Sequence, residues 1–250
     1  MPGTLARLYM FSHGRDAQRF ASDIRSKDKE TIRYGKVRLF NKAYNIDKEI
    51  DLVARAEVKR VSKLLETGEE YYRIHLDIPV VHDSLEGEWR VKEARKVDLI
   101  IYNTEGLDRV AIALSSRKDV YRHFETAITR FSPVRMRPAV LSMHDPSLID
   151  ELTSKIGELQ WIFVSNIRDP RVAHAMFHGR RLEESEIVMA MSELGQIAGI
   201  IIYDKHRKIR ITLGRKGSLY TPRDVSAPDM ARTLARTLKI LVDNKLLTPE

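Results

Sequence analysis

Lys205, Arg207, Lys208 and Arg210, followed by Arg215, Lys216 and Arg223, bring seven positive charges close together late in the chain, with no acidic residue among them before Asp224. Cations at this density suit phosphate oxygens, because each neutralised phosphate releases counterions and adds affinity without reading a base sequence. The run Ile209–Leu213 alternates, so a buried isoleucine face sends Arg210 and Thr212 to the solvent side. The competing reading is a solvated strand whose charges only discourage edge-to-edge aggregation. Tyr220 offers either a ring for a base or an anchor against the body of the domain.

Other residues point to different chemistries. Asp51, Glu57 and Lys59 follow the order of a metal-dependent nuclease, in which carboxylates hold a divalent ion and a lysine assists the attacking water. That chemistry needs Glu57 and Lys59 on one face of a strand. The apolar positions Ile50, Val53, Ala54, Val61, Leu64 and Leu65 instead predict a helix over Asp47–Glu66, on which the two residues point about 200° apart. His174 and His178, in a basic run with Arg168, Arg171, Arg180 and Arg181, have the i, i+4 spacing of a metal-binding pair on a helix, without a third ligand nearby. A basic surface helix accounts for them as well. Gly214–Ser218 (GRKGS) has backbone amides to offer a phosphate but lacks the spacing of a nucleotide-hydrolysing loop. No nucleophile elbow, dinucleotide fingerprint or zincin helix occurs, so the expectation is a protein without catalytic residues, metal or cofactor.

The elements that must hold these residues read as strands and helices in alternation. Strands are expected at Leu5–Phe11, at Thr31–Phe40 with a bulge near Gly35, at Tyr71–Val81, at Ala139–Met143 and at Leu159–Val164, the last a buried strand. Trp89–Val91 offers a further extension of the sheet. Helices are expected at Lys118–Phe131, from Pro146 to Ile156, and at Glu183–Leu194. Two stretches then match each other. Lys96–Phe131 and Ala198–Val242 each run as an apolar strand ending in tyrosine (Tyr102, Tyr203), a polar loop, a second strand and a helix. Only the second carries the insertion between Leu213 and Met230, expected as a long irregular loop of functional weight.

A length of 250 residues and 43% hydrophobic content suffice for one large or two small domains with real cores. Ser132–Pro138, with two prolines and two arginines, is the expected boundary between an N-terminal α+β domain (1–135) and a basic C-terminal α+β domain (136–250). The net charge of +8 favours polyanionic partners. Cysteine is absent, which excludes disulfides, thiolate zinc sites and cysteine nucleophiles. The longest apolar run, Ile197–Tyr203, is far too short to span a bilayer, so no membrane role and a cytoplasmic location are expected.

The runs LIIYNTEGLDRVAIAL and GIIIYDKHRKIRITL, within residues 70–131 and 159–242, resemble the TATA-binding-protein-like architecture, a tandem pair of antiparallel sheets each followed by a packed helix. Within it the chain resembles the CENP-N-type chromosome-segregation family, and it is similar in size and layout to the separately encoded N-terminal and linker lobe of a prokaryotic Argonaute. Either resemblance implies a non-catalytic prokaryotic protein that binds DNA or RNA and pairs with another protein in a heterodimer. The phenylalanines that kink DNA in such proteins are missing from both hairpins. The expectation is thus an α+β chain of two related halves that contacts nucleic-acid backbone through the seven C-terminal cations. Two alternatives stay open: a winged-helix regulator with Glu183–Leu194 as recognition helix and the second hairpin as wing, and the nuclease of Asp51, Glu57 and Lys59.

Overall fold

The computed structural model describes residues 4–27, 29–41, 46–63, 69–78, 93–142, 146–169, 171–186, 190, 195–221 and 226–250. In chain order these form β1 (Thr4–Met10), α1 (Gly14–Ser26), β2 (Lys29–Asn41), β3 (Ile46–Lys63), β4 (Glu70–Ile78), β5 (Glu93–Ile101), β6 (Val110–Ser115) and α2 (Val120–Phe131). They continue with β7 (Arg137–Leu141), α3 (Pro146–Lys155), β8 (Gly157–Ser165), β9 (His174–His178), a 3-10 turn (Leu182–Glu184), β10 (Gln196–Asp204), β11 (Ile209–Gly214), β12 (Ser218–Thr221), α4 (Ala227–Asp243) and β13 (Leu247–Pro249). The chain is α+β, and every strand pair among the described residues is antiparallel.

One sheet runs through both halves in the order β2-β3-β4-β5-β6-β1-β12-β11-β10-β8-β9. The first strand is its hinge point: β1 pairs with β6 on one side and with β12 on the other, and β7 takes over the second side at Tyr9 and Met10. The expected boundary at 132–138 joins α2 to β7, and residues on either side of it share the larger core.

Helices cover this sheet on opposite faces at its two ends. The amphipathic stripes of α1 (Ala17, Phe20, Ala21, Ile24) and α2 (Val120, Phe124, Ala127, Ile128, Phe131) pack on Val97, Leu99, Ile101, Ala111, Ala113 and Tyr9. The other face of the same central strands (Ile100, Val110, Ile112, Leu114, Leu8) continues into Leu219, Leu213, Ile211, Ile200 and Ile202, and is covered by α3 and α4. Ser226 starts α4 by accepting the Asp229 amide at 3.3 Å. The Tyr102 hydroxyl ties the sheet to this helix by donating to the Ala231 carbonyl at 2.9 Å. Among the described residues, no helix covers β3 and β4 on the α4 side, or β12, β11, β10, β8 and β9 on the α2 side.

The border of the second bare face is marked by Arg7, whose guanidinium meets the Glu125 carboxylate of α2 at 2.9 Å. Tyr9 donates to the same carboxylate at 2.8 Å. Burial first, and then Glu125, push the Tyr9 hydroxyl far above the ordinary tyrosine range, so it stays a donor at every physiological pH.

Several expectations need correction. The segment expected as a helix over Asp47–Glu66 is β3 as far as Lys63, and residues 64–66 lie outside the described residues. Ile50, Leu52, Ala54, Ala56 and Val58 alternate with Asp51, Val53, Arg55, Glu57 and Lys59, and this period of two overrides the looser helical stripe. Ala56 and Val58 are buried, while Arg55, Glu57 and Lys59 are not. His174–His178 is a strand, not a surface helix. The insertion after Leu213 is a tight turn followed by β12, with residues 222–225 outside the described residues. Within β8 only Leu159, Ile162 and Val164 are buried. Trp89–Val91 lies outside the described residues. The bulge near Gly35 is present, as a register shift between Arg33 and Gly35.

Candidate nucleic-acid interface

The turn joining β10 to β11 is shaped by a buried carboxylate. One Asp204 oxygen accepts the amides of His206 and Arg207 at 2.9 and 3.0 Å, and Lys208 closes the turn in the left-handed region at φ 54°. Lys205, Arg207 and Lys208 are thereby fixed on the tip with their side chains exposed. Arg210, two residues into β11, projects onto the bare face and donates to the Gln160 side chain at 2.9 Å. No carboxylate of the described residues pairs with any of these four cations.

The remaining candidates sit elsewhere. Arg215 and Lys216 lie in the turn between β11 and β12, at the other end of β11 and about 17 Å from Arg210 at the strand's rise per residue. Lys216 is exposed. Arg215 is half-buried, and its side chain donates to Gln196. The amides of Arg215 and Gly217 are spent on the Ala198 and Gly214 carbonyls at 2.9 and 3.0 Å, which removes them as phosphate donors. Arg223 lies outside the described residues.

Between the two cationic ends lies a floor that sequence reasoning missed. The register aligns Tyr220, Thr212, Ile201, Trp161 and His178 in one row across β12, β11, β10, β8 and β9. The next row toward Arg215 is Ser218, Gly214, Gly199, Phe163 and Met176. Tyr203 stands opposite Arg210 in the row toward the tip. Trp161 stacks alongside Phe163, with ring centroids 6.3 Å apart and planes 11° from parallel, and lies 4.1 Å from the His178 ring. Tyr220 is 38% exposed and Met176 58%, so no helix of the described residues covers these two side chains. A depression of about 390 Å³ opens beside it, lined by Phe163, Ser165, His174, Met176 and Ala198. Tyr220 was the ring visible in advance; Trp161 and Phe163 were not, because a register shift at Ile201/Ile202 opposite Gln160 disguised the outward phase of β8.

The residues of the nuclease reading are only partly brought together. Glu57 and Lys59 share one face of β3, with the ammonium 3.4 Å from the carboxylate, and Lys29 approaches the same carboxylate at 3.9 Å. The objection drawn from a helix therefore falls. Asp51, however, is six residues up the same strand, about 20 Å away, where it pairs in register with Lys36. Two groups so far apart cannot hold one ion. His174 and His178 stand four residues apart on a strand, about 13 Å, which also rules out a shared metal. No cluster of three acidic or histidine ligands occurs among the described residues. The hairpin expected as a wing lies inside the sheet, with β10 paired to β8 and β11 paired to β12. Of the helix expected over Glu183–Leu194, Glu183 and Glu184 fall in the 3-10 turn, Glu186 and Ala190 are helical, residues 187–189 and 191–194 lie outside the described residues, and Glu183 accepts the Leu159 amide at 3.2 Å.

Asp204 is the residue on which the tip depends. Asp204→Ala is expected to cost about 1–2 kcal/mol, the worth of two partly solvated bonds to a charged acceptor, while Asp204→Asn, which keeps an acceptor, costs less. Urea unfolding of the two variants checks this; equal midpoints would show that the turn does not need the carboxylate oxygen.

No helix among the described residues is long and apolar enough to cross a membrane. No protein-family model and no curated protein sequence matches the chain.

Proposed function

We propose that this is a non-catalytic nucleic-acid-binding protein that grips the sugar-phosphate backbone through Lys205, Arg207, Lys208 and Arg210, with Arg215, Lys216 and Arg223 extending the contact, and that works with a protein partner. One observation carries the reading: four cations that no carboxylate of the described residues pairs with stand at one end of a sheet face that no described helix covers. A surface built only for solubility has no need to hold its turn rigid beneath the charges. The pseudo-repeat belongs to the same proposal. In each unit, β5-β6-α2 and β10-β11-α4, a hairpin precedes a helix that covers one side only, and the helices lie on opposite faces. A TATA-binding-protein-like duplication with this arrangement leaves one face per half for a ligand or partner. The partner classes suggested by resemblance, a chromosome-segregation assembly or an Argonaute lacking its N-terminal lobe, enter on the same footing, as does a cytoplasmic site of action.

The salt dependence of binding to mixed-sequence oligonucleotides tests the reading. Four to six phosphate contacts give a log–log slope of about −3 to −5. Absence of binding at low salt, or a slope near zero, would remove the function.

A further inference from the structure

We infer that the bare C-terminal face is a stacking platform for unpaired bases, so that the ligand is a single strand, not a duplex. The inference rests on the proposed backbone contact and adds what lies beside it. A strand anchored at Lys205, Arg207, Lys208 and Arg210 has a floor of rings next to its phosphates: Tyr203 opposite Arg210 on β10, Tyr220 on β12 to the other side of β11, and Trp161 and Phe163 two residues apart on β8, about two strand spacings from β11.

The chemistry of the floor fits flat heterocycles. Base–aromatic stacking needs a ring face and room above it, and it tolerates any sequence because every base has a π-face. Gly199 and Gly214, neighbours in the row that holds Phe163, carry no side chain to raise the floor, and Thr212 and Ser218 add only short polar ones. The rings are anchored in a continuous sheet, so little conformational freedom is lost when a base lands on them. A duplex presents its phosphates to the rim but keeps its bases stacked on each other, out of reach of rings in a sheet floor. A protein partner would also cover aromatic surface. Such an interface accepts arginine but is depleted of lysine, whereas here the exposed Lys205 and Lys208 of the tip border the ring-bearing rows.

The test uses three ligands of equal length: oligothymidylate, the same strand with abasic sites throughout, and a mixed-sequence duplex. The expected result is that oligothymidylate binds roughly ten-fold or more tighter than the abasic strand, which has the same phosphates. Trp161→Ala and Tyr220→Ala are expected to erase most of that difference while leaving abasic binding unchanged. Because Trp161→Ala could disturb packing, the second readout keeps the ring: in Trp89→Phe, Trp161 is the only tryptophan, and its emission is expected to be quenched by oligothymidylate and not by the duplex. Equal affinity for abasic and base-bearing strands, or equal quenching by the duplex, overturns the platform while leaving the backbone-binding reading standing. Failure of all three ligands to bind at low salt overturns both.

Discussion

Replacing Gly217 by alanine is expected to destabilise the protein by about 2–4 kcal/mol, a fall in melting temperature on the order of 10 °C for a chain of this size. Gly217 ends the β11–β12 turn at φ 65°, and a Cβ there would lie 2.2 Å from the Ala139 carbonyl oxygen and 3.1 Å from its carbon. The neighbour is the backbone of β7, which cannot step aside as a side chain would. Gly217 also gives its carbonyl to the Leu8 amide at 2.8 Å, at the point where β1 passes from β12 to β7. Two costs combine: about 1 kcal/mol for a left-handed residue with a side chain, and about 1–3 kcal/mol or more for overpacking a junction of three strands. Gly106 isolates the first. It has φ 80° but open space, its nearest atom being Asp243 Oδ1 at 3.9 Å, so Gly106→Ala is expected to cost only about 1 kcal/mol. Thermal unfolding followed by circular dichroism compares the two, and equal losses would show that the junction is not close-packed.

How much of this was legible in the sequence depended on whether a segment obeyed one period or two. The α2 stripe was readable because Val120, Phe124, Ala127, Ile128 and Phe131 fit only a helix, and all five are buried. β4 was readable because its tyrosine, isoleucine and leucine alternate cleanly with Arg73, His75 and Asp77. β3 satisfied both periods, and the strand prevailed because β2 and β4 pair along it on either side, which no local propensity reveals. The site was half legible. Cations are visible in any sequence, but their division between two ends of β11 depends on where the turns fall, and β12 is four residues long between glycine and proline. The ring floor was hidden for a different reason. An apolar strand reads as buried on both faces unless one knows which helix covers which side, and here α2 stops at Arg7 while α4 lies on the other face.

The combined variant Arg207→Glu, Lys208→Asp, Arg210→Glu is expected to lose about two orders of magnitude in affinity for a single-stranded oligonucleotide at roughly 0.1 M salt. Each single-strand phosphate contact contributes about 0.7 to the salt slope, so three lost contacts flatten it by about 2 and remove about two decades of affinity one decade below the molar reference. Reversed charge adds repulsion to that loss. The fold itself should tolerate the change. All three side chains are exposed, Arg210 gives up only its bond to Gln160, and aspartate is among the residues that accept the left-handed backbone at position 208. The unfolding midpoint is therefore expected to move little, which makes the binding loss interpretable as lost contacts. Fluorescence anisotropy against salt reads both numbers at once. A folded variant with undiminished affinity and slope would mean that the tip points away from the ligand, and the phosphates would then have to be sought at Arg215 and Lys216, at the far end of the same strand.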